Sequence, residues 1–466
     1  MHHYLLVALL SLLTLSTSFA QETDKTIKGA ACLVSDDQGR VLVTRDILNN
    51  RIAIPGGYVD SDNPADAAIR ETLEETGIDV EAVGEIARMG KAVLFDCRAT
   101  SPIPVLKTTA EAEKAAVAAW QAEHFAREVR SVFLMKPNQE MLDNARFPEQ
   151  VEMFPALLKR ATPSPIQEFD DFSALASPFD VWNAGINQRF QNAIHALPKP
   201  IAKTMATLLD YASALGSGVL FFVLIPIAMA TGGLKRVAEV LLVTILVTVV
   251  VSFGKLFFGV PRPFYVIPEL QLGAASGFAF PSGHTATAFA VWGLVSTWIN
   301  RARKTTRVIW LVPAVLVALS RVYLGVHYVT DVIAGAVIGV LVVLVAQHLA
   351  RRLLSVRLWF GLGAIIIPFA LTQIQPTFLY CAAFSFTFSA VLCLARHQQE
   401  RLTAPMGIKG FLVTLAGMSA LAAIILGVGQ ISNSSIEILA SYTLSAALLA
   451  IWLGWAVPKW GAIQGK

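Results

Sequence analysis

Three short stretches put ionisable side chains into an otherwise apolar half of the chain. Lys255 is followed, after six residues, by Arg262-Pro263; then come Pro281-Ser282-Gly283-His284; then Ser320-Arg321, five residues, His327, three residues and Asp331. Ionisable residues at such depth are costly and usually functional. Lys255, Arg262 and Arg321 suit the equatorial oxygens of a phosphate, which arginine can grip with paired hydrogen bonds. Pro281-Ser282-Gly283 opens an apolar run, so free backbone N–H groups and a helix dipole add an anion site, and Gly283 permits close approach. Two histidines can divide the labour, one attacking phosphorus and the other protonating the leaving oxygen. His327 and Asp331 are spaced i, i+4 and share a helix face. The carboxylate can then hold the imidazole tautomer and stabilise its cationic form. This is the chemistry of phosphoryl transfer, with protein cations doing the work of a metal.

A second cluster lies far upstream: Gly56, Asp62, then Arg70-Glu71-Thr72-Leu73-Glu74-Glu75-Thr76-Gly77-Ile78. On a helix, Glu71, Glu74 and Glu75 fall at i, i+3 and i+4 and would repel one another unpaired. A hard divalent cation relieves that repulsion, and oxygen ligands suit magnesium or manganese. Such a metal could bind a diphosphate and activate water, with Arg70 holding the glutamates in place. Read without a metal, the same residues are a solvated helix face.

The two clusters need different scaffolds, and the charge distribution supplies them. Positions 1–200 hold 19 basic and 27 acidic residues, the remaining 266 hold 18 and 6. A soluble, mildly acidic domain therefore precedes a membrane domain. With 55% hydrophobic residues and 15% charged, a wholly soluble protein, a disordered chain and a disulfide scaffold are excluded. The net charge of +4 comes from membrane-loop arginines and lysines and implies no nucleic-acid partner.

Residues 1–20 read as a secretory signal, with an apolar run and Ser18-Phe19-Ala20 before Gln21; an uncleaved anchor is the alternative. From 26 to 161 the pattern is mixed α/β. Strands are expected at 30–34, 40–44, 53–54, 92–97 and 129–134, and helices at 64–76, 109–125 and 148–159. Asn63, Pro64 and Gly77 supply cap, first turn and stop for the helix carrying the glutamates. Residues 162–200 read as a linker and an interfacial amphipathic helix, 179–196. Nine spans follow, at 209–230, 237–258, 282–299, 308–325, 329–350, 358–375, 377–395, 410–429 and 436–457. Loops after odd-numbered spans carry Lys235, Arg236, Arg301, Arg303, Lys304, Arg307, Arg351, Arg352, Arg357, Arg396, Arg401 and Lys409. The positive-inside rule then puts the amino-terminal domain and both clusters outside. Cys32 and Cys97 lie in that exported domain, where a disulfide is permitted.

The membrane set resembles the type 2 phosphatidic acid phosphatase family, whose signature is Lys-x6-Arg-Pro, Pro-Ser-Gly-His and Ser-Arg-x5-His-x3-Asp. The resemblance implies a six-helix core, His327 as a nucleophile forming a phosphohistidine, His284 as general acid, and Asp331 orienting His327. It assigns phosphate binding to Lys255, Arg262, Ser282, Gly283 and Arg321. The upstream set resembles the Nudix box, with Asp62 replacing its first Glu and Thr72 an apolar position. That resemblance implies an α/β/α sandwich, with Arg70, Glu71, Glu74 and Glu75 catalytic and the three glutamates binding magnesium or manganese.

The expected architecture is α+β: a signal at 1–20, an exported Nudix α/β/α sandwich at 26–161, a linker at 162–200, an all-α phosphatase membrane core at 201–350, and four extra transmembrane helices at 351–466. The expected function is a lipid phosphatase of the plasma membrane with its site on the outer face. In a bacterium, undecaprenyl diphosphate is the natural substrate for such a site, and phosphatidylglycerophosphate or phosphatidate the alternatives. A phosphotransferase, a transporter, or a Nudix domain that binds without hydrolysing are rival readings. The expected Nudix ligand is a nucleotide sugar or other diphosphate. Glu128 lies where Nudix domains sometimes place an extra catalytic acid but is expected to be only a surface residue, and His124 reads as isolated.

Overall fold

The computed structural model describes residues 27–60, 63–109, 113–299, 310–372, 375–395 and 403–461. The signal-like segment 1–20, Asp62, the basic stretch 301–307, Arg396 and Arg401 lie outside them.

The α/β domain comprises β1 (Gly29–Val34), β2 (Val41–Asp46), β3 (Ile52–Ala53), β4 (Gly56–Tyr58), α1 (Pro64–Thr76), β5 (Val80–Met89), β6 (Ala92–Ala99), β7 (Ile103–Leu106), β8 (Lys114–Ala116), β9 (Val129–Met135), α2 (Gln139–Asn144), α3 (Pro148–Leu157) and β10 (Ile166–Phe169). A mixed sheet forms in the order β4-β1-β6-β5 and an antiparallel one in the order β3-β2-β9-β8, and β10 pairs with β7. Alternation along β1 sorts side chains to opposite faces. Cys32 and Val34 join a core with Ala67 and Ala68 of α1. Leu33 joins Met141, Phe154 and Leu157 of α2 and α3 on the other side. Helices thus cover both faces. Cys32 and Cys97 are disulfide-bonded between the parallel neighbours β1 and β6.

One expected helix is absent. The alanine-rich 109–125 region has high helical propensity, yet Lys114–Ala116 is a strand paired to β9, with Ala115 opposite Leu134. Burial of Ala115 and Val117 on alternate positions outweighs propensity. The rest of that stretch is an irregular strap over the end of α1, where His124 N–H donates to Glu74 O at 2.8 Å.

The helical part comprises α4 (Pro178–His195), α5 (Lys199–Ala212), α6 (Val219–Phe258), α7 (Gly283–Ile299), α8 (Val312–Tyr323), α9 (Val329–His348), α10 (Val356–Thr372), α11 (Pro376–Leu394), α12 (Gly407–Ile431) and α13 (Ser435–Ile451). Among the described residues, five helical stretches are long and apolar enough to cross a membrane, and α8 and α10 are shorter apolar helices. Two expectations change here. The span 209–230 is interrupted by a tight turn at Ser213–Gly216, where a β-carbon on Gly216 would meet His284 O at 2.6 Å. The second span is continuous with what precedes it except at Gly233, whose φ of +61° breaks α6. The interfacial helix also differs: α4 buries amides rather than an apolar stripe. Asn187 donates to Val322 O and His327 O at 2.9 Å, and Gln191 to Leu270 O and Tyr323 O at 2.9 and 2.7 Å.

Close helix approach sets the geometry that matters most. Gly335 and Gly339 of α9 face α7, where added β-carbons would meet Ser282 O and Ala286 O at 2.5 Å. Small residues at such a seam let backbones pack tightly. Ser282 N–H donates to Asp331 O at 3.0 Å, tying the start of α7 to the first turn of α9.

Candidate functional site

The membrane motif converges at one end of the bundle. His327 and Asp331 are about 1% exposed, Arg262 4% and Arg321 5%, so all four are shielded from bulk solvent. His327 sits in the short turn between α8 and α9. Gly325 has φ +67° there, and a β-carbon on it would lie 1.8 Å from Leu270 O, so only glycine fits. His327 Nδ1 lies 3.3 Å from Asp331 Oδ2, which also accepts the Tyr328 N–H at 2.7 Å. Arg262 Nη1 lies 3.4 Å from His327 Nε2. A guanidinium only donates, so Nε2 must be the acceptor and the ring proton sits on Nδ1, facing the carboxylate. That tautomer leaves the Nε2 lone pair toward the arginine.

Backbone carbonyls aim the cations. Arg262 Nε donates to Ser276 O and Gly277 O at 3.0 and 2.9 Å, Nη2 to Ser276 O at 2.7 Å, and Nη1 to Val326 O at 2.7 Å. Lys255 Nζ donates to Phe278 O at 3.0 Å. Arg321 Nη1 donates to Ser213 Oγ at 2.6 Å, while its Nε is buried without a partner. Buried donors left over in this way suit an incoming anion. His284 enters from the first turn of α7, and Ser282 Oγ meets Thr285 Oγ1 at 3.0 Å. The structure therefore gathers the three motifs at one place. Ser213, Asn187 and Gln191 hold the site and carry no sequence signature.

The second cluster lies on α1. Arg70 Nη1 contacts Glu71 Oε1 at 2.9 Å and Glu74 Oε2 at 3.1 Å. Gly57 makes room for the Glu71 carboxylate, since a β-carbon there would lie 2.3 Å from Glu71 Cδ. Glu75 turns toward Gly56, whose N–H donates to Oε2 at 3.4 Å. Burial pushes the Glu75 carboxyl well above the usual range, with Glu71 and Glu128 nearby adding to it. Burial also raises Glu71, against the opposing pull of Arg70.

Two more residues join this face: His124, which reads as isolated in the sequence, and Glu128, which reads there as a surface residue. His124 Nε2 lies 3.9 Å from Glu74 Oε2, and its Nδ1 3.6 Å from Glu128 Oε2. Glu71, Glu74 and His124 each offer a ligand atom within 4.8 Å of the others. Carboxylate oxygens suit magnesium or manganese, so the residues present fit a divalent cation.

The two sites share a border. The strap 121–128 packs on the loop after α6, with Phe125 edge-on to Tyr265 and Phe278 at centroid distances of 5.7 and 5.3 Å. Beside it, a cavity of about 480 Å³ is walled by Trp120 and Arg127 of the α/β domain and by Leu256, Pro261 and Phe278 of the helical part.

Comparison with known proteins agrees with this division. Residues 25–157 match the NUDIX domain and residues 236–354 the PAP2 superfamily. Phosphatidylglycerophosphatase B of Bacillus subtilis is 42% identical over 73 residues, covering 14% of this chain and 36% of that protein. Lipid A 4'-phosphatase of Porphyromonas gingivalis is 32% identical over 159 residues, covering 32% of this chain and 65% of that protein. The chain thus spans less than two thirds of the length of either relative. The crystal structure of Aquifex aeolicus LpxE aligns at 26% identity over 34% of this chain and 93% of that one, with a TM-score of 0.30. NUDIX domains generally use divalent metals. One polypeptide therefore carries a NUDIX domain followed by a PAP2 superfamily domain built into a multi-pass membrane bundle.

Proposed function

We propose that the chain is a membrane lipid phosphatase acting on a lipid phosphate or diphosphate through a phosphohistidine. The observation that carries this reading is His327 held between Asp331 at Nδ1 and Arg262 at Nε2. Nε2 attacks phosphorus and forms an N–P bond as the P–O bond to the lipid breaks, and His284 gives its proton to the departing oxygen. His284, now neutral, takes a proton from water as that water attacks phosphorus. The N–P bond breaks, and inorganic phosphate leaves. Lys255, Arg262 and Arg321, with the N–H groups at Ser282 and Gly283, neutralise the equatorial oxygens throughout.

Undecaprenyl diphosphate is the proposed substrate if the site faces outward, where a spent carrier lipid must lose phosphate before re-use. The Cys32–Cys97 disulfide supports that side, because disulfides persist in oxidising compartments. Phosphatidylglycerophosphate is the second reading, favoured by the likeness to the phosphatidylglycerophosphatase B of Bacillus subtilis. The NUDIX domain takes a diphosphate compound such as a nucleotide sugar. Glu71, Glu74 and Glu75, with His124, would hold magnesium or manganese there, which supplies diphosphate polarisation and water activation.

The test is phosphate release by the purified protein from a panel of lipid phosphates and nucleotide diphosphates, with and without magnesium. His327→Ala should abolish lipid phosphate release and any trapped phosphoenzyme; turnover at the wild-type rate would remove the assignment. Chelation should spare the lipid activity and remove diphosphate hydrolysis.

A further inference from the structure

Apart from Val326 O, the carbonyls that aim Arg262 and Lys255 belong to one short segment, Ser276 to Phe278. Ser276 O and Gly277 O accept from Arg262, and Phe278 O accepts from Lys255. A carbonyl can direct a cation only if its own peptide is fixed, and this segment lies in no helix or strand. At its far end the helical part holds it, Ala279 N–H donating to Val260 O at 2.8 Å, and a second support reaches Phe278 from outside the bundle.

That support comes from the NUDIX domain. Phe278 is 7% exposed and sits in the core cluster of the α/β domain, with Phe125, Ala126 and Trp120. Leu256, one residue from Lys255, and Tyr265, three from Arg262, pack against the same cluster. Phe125 is the centre of the contact, with its ring edge-on to both Phe278 and Tyr265. Edge-to-face pairs of this kind add attraction beyond burial and fix the angle between the rings. The neighbouring Ala126 holds φ +62°, a conformation unfavourable for a non-glycine residue that persists where surroundings dictate it. The strap is in turn pinned to α1 by the His124 N–H bond to Glu74 O and closed on itself by Ala126 N–H to Val129 O.

We infer that Phe125 of the NUDIX domain is a positioning residue for the membrane phosphatase site: by clamping Phe278 and Tyr265 it fixes the carbonyls that aim Lys255 and Arg262 at the bound phosphate. The PAP2 site is then incomplete without the domain in front of it, whatever the NUDIX domain hydrolyses. This rests on the phosphatase reading above.

The experiment uses the full-length protein in detergent, a short-chain phosphatidate as substrate and inorganic phosphate as competitive inhibitor. Phe125→Ala should raise both KM and the phosphate inhibition constant about tenfold, with a smaller change in kcat, because the cations still exist but point less well. Phe125→Tyr keeps the ring and should restore both constants. Phe125→Leu keeps most of the apolar volume without the ring, and serves if the alanine variant does not fold; it should shift the constants in the same direction. Folded Phe125→Ala or Phe125→Leu protein with unchanged KM and inhibition constant overturns the inference, as does a loss confined to kcat. A His327→Ala control separates the two claims. If it is inactive while Phe125→Ala is normal, only the positioning role fails; if it remains active, the phosphatase reading fails first.

Discussion

At Gly57 a single missing side chain decides where a carboxylate can sit. A β-carbon there would overlap the carboxyl group of Glu71, the flexible end of a side chain rather than backbone. Gly57→Ala should therefore leave the fold nearly intact but swing Glu71 off the α1 face. Manganese binding, followed by calorimetry or electron paramagnetic resonance on the full chain, is expected to weaken about tenfold, roughly 1.4 kcal/mol. Gly56 contrasts with it, since a β-carbon would strike Ala30 O and the Ala31 backbone at 2.5–2.6 Å. Alanine at 56 should cost stability rather than affinity.

Glu75 gives a pH signature on the same face. Its carboxyl is raised chiefly by burial. A group raised in the folded state contributes stability that is complete below its unfolded value, about 4.3. That contribution is lost as pH climbs through the folded value. Metal-free protein should thus lose thermal stability from pH 5 to pH 8 on this account, and Glu75→Gln should lose less. Melting curves in chelator at the two pH values compare them, and an equal loss in both proteins would contradict the burial argument. The residues of both motifs were legible in the sequence because phosphate and metal chemistry dictate side-chain type and spacing. His124 and Phe125 were not. Nothing local in the strap tells that one side chain meets α1 and the next meets the membrane loop; only the tertiary fold does.

Elements position these groups through backbone approach. The α7–α9 seam brings Ser282 and His284 beside His327 and Asp331 only because Gly335 and Gly339 let the helices touch. Gly339→Leu would force side-chain atoms into Ala286 O and the Phe289 β-carbon. Overpacking of this kind costs about 1–3 kcal/mol. Lipid phosphate release should fall with it, because the two histidines sit on opposite sides of the seam. Thermal unfolding and phosphate release measured together test the link; full activity in a destabilised variant would show that the seam does not set the histidine geometry. Helix periodicity and caps predicted α1 closely, down to the Asn63 side chain accepting from Asp66 N–H and the left-handed Gly77. The same reasoning failed at 109–125, where pairing with β9 overrode propensity. It also failed at the start of the bundle, where the contact of Gly216 with α7 breaks a hydrophobic run that looks continuous. Asn187 and Gln191 were invisible for a related reason: their partners are carbonyls more than 70 residues away.

At the scale of the whole molecule, the strap contact puts the NUDIX face and the PAP2 site at the same end of the bundle. A second contact reaches the far helices, where Ser435 Oγ donates to Asp46 Oδ2 at 2.9 Å. These contacts support the proposal that both domains face one compartment, and the question becomes which. The loop after α9, with Arg351 and Arg352, lies 20 helical residues from the Asp331 end, or about 30 Å along the axis. That is about the thickness of the hydrocarbon core, so the loop emerges on the opposite side. Its basic charge favours the cytoplasm, and the disulfide favours an oxidising space for the NUDIX domain. A cysteine at exposed Asp37, with Cys381 and Cys393 replaced and the Cys32–Cys97 pair kept, should react with a membrane-impermeant thiol reagent in intact cells, or in spheroplasts where an outer membrane intervenes. A cysteine at exposed Arg352 should react only after lysis. The reverse pattern would put both sites in the cytoplasm, where nucleoside triphosphates are plentiful. It would make them the natural NUDIX substrates and remove the case for carrier-lipid recycling at the outer face.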